Sequence, residues 1–89
     1  MTTGDYVLVT TDKRGVFAGR LVKDGGRTVT LADGRNCIYW SAECKGFLGL
    51  AAHGPIGDSR IGPPAPELVL HGVTAVALCT DEARAVWER

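Results

Sequence analysis

Tight-turn chemistry recurs through the first third of this chain and confines each apolar run between the turns to strand length. Asp12-Lys13-Arg14-Gly15 is a four-residue turn signal with Gly in last place. Asp24-Gly25-Gly26 and Asp33-Gly34 are hairpin signals, because glycine takes positive φ without a steric cost. The runs Tyr6–Thr10, Val16–Lys23, Arg27–Ala32 and Asn36–Ser41 are rich in β-branched and aromatic residues and read as strands. Joined by such turns they predict a four-stranded antiparallel meander. Alternation puts Val29 and Leu31 on one face of the third strand. It puts Ile38 and Trp40 on one face of the fourth, with Cys37 and Tyr39 on the other. Gly19 in mid-strand marks a bulge or bend, which lets a short sheet curl into a small barrel.

After Ser41 the pattern changes. Phe47, Leu50 and Ala51 fall at i, i+3 and i+4, so Glu43 to Ala52 predicts a short helix with these residues facing inward. Gly54 serves as its C-cap, with Pro55 just beyond. Residues 53–66 are glycine- and proline-rich and predict irregular chain, with a brief strand at Ser59-Arg60-Ile61. Glu67–Leu70 and Val73–Cys79 predict two more strands joined at His71-Gly72. The second is apolar on both faces, which implies cover on both sides. Thr80 is an N-cap for a last helix to Glu88, with Ala83, Val86 and Trp87 inward. The fold class is therefore mostly β: a small curled antiparallel sheet or barrel of about six strands, one short insertion helix and a short C-terminal helix.

With 89 residues the chain makes one domain, spanning 1–89. So short a chain buries only about 60–65% of its unfolded surface, and an oligomer interface would extend its core. Formal net charge is zero, with ten basic and ten acidic residues. That argues against a protein that coats nucleic acid or anionic membrane, since such binding neutralises many phosphates at once. Cys37, Cys44 and Cys79 make an odd count without a CxxC pair, which suits a reducing compartment. Cys44 is expected to be the most exposed of them. No secretory leader and no membrane span is read, and the expected location is the cytoplasm.

The residues suited to specific binding gather between Gly34 and Pro63. Arg35 and Lys45 with Arg60 can hold phosphate, Tyr39 and Trp40 can stack on a base, and Asn36 and Ser59 can read a base or ribose edge, with His53 nearby in sequence. Tyr39 and Trp40 face opposite ways on a strand, so they share a pocket only if a second subunit supplies one of them. Metal chemistry is not expected, because the Cys and His spacings match no zinc framework. Nor is catalysis: His53, Asp58 and Ser59 fit turn residues bonding their own backbone, and no nucleophile elbow is present. No cofactor motif occurs.

Two resemblances add to this. Val7–Thr11, Arg14–Val22 and Thr28–Gly34 resemble the start of Sm-like and other SH3-like small barrels, where a bent strand carries a mid-strand Gly followed by an apolar residue, here Gly19 and Leu21. The N-terminal helix and second motif of the Sm-like proteins are absent, so RNA binding is not implied. Over nearly the whole chain, TTDKRGVFAG (Thr10–Gly19), VTLADGRNCIYWS (Val29–Ser41), GFLGLAAHGP (Gly46–Pro55), Arg60–Pro63, Val73–Val76, Cys79–Ala83 and Trp87-Glu88 resemble an uncharacterised family of short proteins from tailed phages and prophages. That resemblance implies phage origin and a bacterial cytoplasm, and brings no activity or catalytic residue. The resulting expectation is a non-enzymatic accessory or host-interaction protein. It is a homo-oligomer, binding a small nucleotide or other anionic ligand at a subunit boundary. A module for a host protein, through Phe47–Ala52 and the proline-rich loop, or an RNA-binding ring are the alternatives.

Overall fold

A computed structural model describes residues 1–13 and 15–89. Strands β1 (Tyr6–Thr11), β2 (Val16–Asp24), β3 (Thr28–Tyr39), β4 (Arg60–Ile61), β5 (Ala65–His71) and β6 (Val73–Leu78) form a six-stranded antiparallel sheet that does not close. Helices α1 (Gly46–His53) and α2 (Asp81–Trp87) complete the chain. The protein is thus mostly β with two short helices. Across the sheet the order is β4-β3-β2-β1-β6, and β5 shares with β4 the β3 edge that β2 leaves open. The Asp12–Gly15 turn is anchored at its ends, where Thr11 and Gly15 exchange hydrogen bonds; Arg14 lies outside the described residues.

β1 is the strand covered on both faces. It lies between β2 and β6, and Tyr6, Val7, Leu8 and Val9 are all buried. By alternation Val7 and Val9 join Leu21, Val29, Leu31 and Leu70 inside the curl of the sheet. Tyr6 and Leu8 join Ala18, Cys37, Leu50, Ala83 and Trp87 on the outer face, under the helices. The sequence implies cover on both faces for β6, which instead is an edge strand with Thr74 and Leu78 exposed. β5 and β6 are consecutive yet do not pair. Gly72 (φ 67°) bends the chain from the edge beside β3 to the edge beside β1, and its carbonyl accepts from Asp12 N–H at 2.9 Å. The sheet curls because one bent segment serves both its edges.

Asp33-Gly34 is not a hairpin. β3 runs straight through it, and the two predicted strands on either side are one. The ladder with β2 pairs Ala18 with Arg35 and Arg20 with Ala32, so Gly19 stands opposite two residues, Asp33 and Gly34. Asp33 sits at φ 53°, the left-handed conformation of a bulge residue. The same turn chemistry is spent here on an extra residue within the strand. The insertion flips the faces: Val29 and Leu31 point into the curl, whereas Arg35 and Cys37 turn outward toward the helices. Both glycines are needed for close approach. A Cβ on Gly19 would come to 3.0 Å from Ala32 O, and one on Gly34 to 2.8 Å from Leu68 Cδ2.

A 3-10 turn (Ala42–Cys44) leads through Lys45 (φ 63°) into α1. α1 ends as the sequence indicates, with Gly54 N–H donating to Leu50 O. Two more of its terminal carbonyls are taken by the cap of α2: Thr80 N–H donates to Ala51 O at 2.9 Å and Thr80 Oγ1–H to Ala52 O at 2.7 Å. Thr80 also caps α2 by accepting from Ala83 N–H. Trp87 is wholly buried and donates Nε1–H to Leu50 O at 3.1 Å. The inward face of α1 is Gly49, Leu50 and Ala51, not Phe47, which is exposed along with Leu48. Cys44 O is the reason: it lies against Gly49, so the first turn docks through a glycine rather than the aromatic.

Candidate functional site

The eight residues expected to bind ligand divide into groups. Arg35 is committed to structure. Its Nε–H donates to Gly62 O at 2.7 Å, and its Nη1 donates to Trp87 O and Arg89 O, both at 2.8 Å. A cation here answers the unpaired carbonyls at the end of α2. The Asn36 carbonyl beside it accepts from Gly62 N–H, and the Asn36 side chain lies over that glycine. This pair pins the chain after β4 to β3.

Tyr39 and Arg60 form the second group. They are partners across the β3–β4 ladder, where the register shifts past Cys37. That shift leaves Cys37 buried but Tyr39 54% exposed, so the expected sharing of one face fails at the bulged Ile38, which is also exposed. Trp40 is half-buried and packs on the outer core, consistent with a core role.

A buried knot holds this corner together. Ser59 Oγ–H donates to Ile56 O at 2.6 Å, Ser41 N–H donates to Ser59 Oγ, and Cys44 Sγ stands 3.1 Å from the same oxygen. Ser41, itself buried, donates to Ile56 O at 3.2 Å. Ser59 is therefore part of the scaffold. Tyr39, Lys45 and Arg60 leave the knot within two residues of its members, so three of the eight emerge at one corner. Among the described residues neither Lys45 nor Arg60 meets a carboxylate. His53 stands apart at the far end of α1, its Nδ1 3.1 Å from Glu82 Oε2.

None of the cysteines is exposed, Cys44 least of all, because its thiol is the centre of that knot. Burial, and next the neighbouring Cys44, push the Cys37 thiol up to about 11, and burial pushes Cys79 up to about 12. Both thiols are therefore held in the neutral, unreactive form at neutral pH. Among the described residues no three His, Cys, Asp or Glu side chains gather as a metal-ligand set, and no helix is long and apolar enough to cross a membrane.

A family model matches residues 4–87, nearly the whole chain. The chain belongs to the DUF6948 family. DUF6948 is described as a domain of unknown function. No curated protein and no solved structure matches the chain.

A further feature of this DUF6948 domain lies mostly outside the expected residues. A cleft of about 210 Å³ is lined by Tyr6, Asp33, Arg35, Pro64 and Glu88. Arg35 is the only one of the eight expected residues in its walls. Tyr6 is the one polar-tipped side chain in the apolar run that opens β1, and that was the available signal. Burial first, then the nearby Glu88 and Cys79, raise its phenol above the ordinary range, so the hydroxyl keeps its proton. Asp33 and Glu88 reach the cleft only because of the bulge and the end of α2, which no local pattern announces.

Proposed function

We propose that this is a non-enzymatic accessory or host-interaction protein of phage origin, acting as a homo-oligomer. Its small nucleotide or other anionic ligand is held at a subunit boundary by Tyr39, Lys45 and Arg60. The observation that carries this reading is the pairing of an exposed Tyr39 with Arg60 across one ladder, the cation having no carboxylate partner among the described residues. A tyrosine face stacks on a base, and a guanidinium forks onto phosphate oxygens. Ile38 and Leu48, each 64% exposed, are the apolar surface that a second subunit would cover while enclosing the ligand.

Native mass spectrometry of the purified protein measures the oligomer and any retained ligand together. Calorimetry against a nucleotide panel tests the binding, and no heat with any member overturns it. Arg60→Ala removes an exposed charge-assisted contact and is expected to weaken binding about tenfold or more while leaving the fold intact. Exposure of Phe47 and Leu48 on α1 favours a second reading, a module that docks on a host protein. A stoichiometric protein partner in a lysate pull-down, with no small molecule retained, would select it.

A further inference from the structure

We propose that the cleft between the start of β1, the Asp33 bulge and the end of α2 binds a small zwitterion, with an ammonium and a carboxylate on one short carbon skeleton, as in a free α-amino acid. This site is separate from the Tyr39–Arg60 corner and does not depend on it. Size sets the first limit. At about 30 Å³ per water, a cleft of about 210 Å³ displaces about seven waters. That is below the roughly 300 Å³ at which pockets for drug-sized ligands begin, which suits a ligand smaller than a nucleotide.

The polar groups set the second limit. Tyr6 is only 4% exposed and forms one wall of the cleft. Its ring is held in place, with the Arg84 guanidinium 5.5 Å from the centroid. Arg35 spends Nε and Nη1 on main-chain oxygens and keeps Nη2 for a ligand. Phenol and guanidinium together donate to a carboxylate. On the acidic side, Asp33 uses Oδ2 on Arg20 at 2.8 Å and Glu88 uses Oε1 on Arg84 at 3.0 Å, which leaves one oxygen of each carboxylate open to an ammonium. A plain anion would meet those two carboxylates. A plain cation would meet the Arg35 guanidinium. A zwitterion answers both.

The test is titration of the full, isotope-labelled chain with alanine, propionate and ethylamine, followed by amide chemical shifts. Alanine is expected to shift Asp33, Arg35 and Glu88 saturably. Propionate and ethylamine, each lacking one charge-assisted contact, are expected to bind about tenfold more weakly or worse. Propionate or ethylamine equal to alanine, or no saturable alanine shift by about 10 mM, would overturn the proposal. Tyr6→Phe keeps the buried ring and removes only the hydroxyl. It should weaken alanine binding about tenfold at an unchanged melting temperature, and unchanged affinity overturns the assignment.

Discussion

The inside of the curl and the face under the helices are built on opposite plans from the same strands. Inside, Val7, Val9, Leu21, Val29, Leu31 and Leu70 are aliphatic and come from strands alone. Under the helices the residues are mixed in size and chemistry, from Ala18 and Ala83 through three cysteines to Trp87. A sheet curling onto itself is filled by branched side chains of similar size. A helix laid over a sheet needs small residues for close approach and one large one to fill the gap between elements. The inner core carries no polar duty. The outer one also satisfies helix ends, through Trp87 and Thr80, and supports both candidate sites from beneath.

That contrast is broken most severely by Trp87→Ala, which empties the outer core and removes one of the two hydrogen bonds that Leu50 O accepts. A loss of about 3–5 kcal/mol is expected by urea denaturation, a large part of the roughly 5–15 kcal/mol available to a small domain. A loss below about 1 kcal/mol would mean that the helices are not part of the cooperative unit. Gly34→Ala acts where the two cores exchange residues. Its Cβ would press on Leu68 at 2.8 Å, and a cost of about 1–3 kcal/mol is expected. Gly26→Ala, with open space around it but φ 81°, measures the cost of left-handed backbone strain without any steric contact.

The smallest effect separates the cores by pH. Cys37 and Cys79, both in the outer core, have thiols raised from 9.0 to about 11 and about 12 by burial. A raised folded value favours the protonated native state, so this stabilisation is complete below pH 9 and is lost as pH rises toward 11 and 12. Between pH 7 and 10 the loss is expected to be on the order of 1 kcal/mol for each thiol, read from denaturation midpoints. Cys79→Ala should flatten that slope, whereas substitutions inside the curl should not.

The order of strands and helices was legible because it rests on neighbouring residues: glycine turns, alternation, the Thr80 cap and the Gly54 stop act within a few positions. The β6 and Phe47 expectations failed for a different reason. Alternation tells how apolar a face is, not whether another element covers it. β6 became an edge because Gly72 bends the chain away from β5, and Phe47 was displaced by the fit of Gly49 against Cys44. Of the candidate site, Tyr39, Lys45 and Arg60 could be named from residue chemistry. Their meeting point at the Ser41–Cys44–Ser59 knot could not.

Asp33-Gly34 divides the two kinds of knowledge most sharply. The residues alone determine that the chain can reach positive φ there, since Asp and Gly tolerate it where branched residues do not. Whether that conformation closes a hairpin or inserts a bulge depends on what lies across the ladder. Gly19 opposite, with no Cβ to hold the strands apart, allows β2 and β3 to continue pairing. One inserted residue then turns Arg35 and Cys37 outward, beneath α2, because the side-chain period of a strand is two.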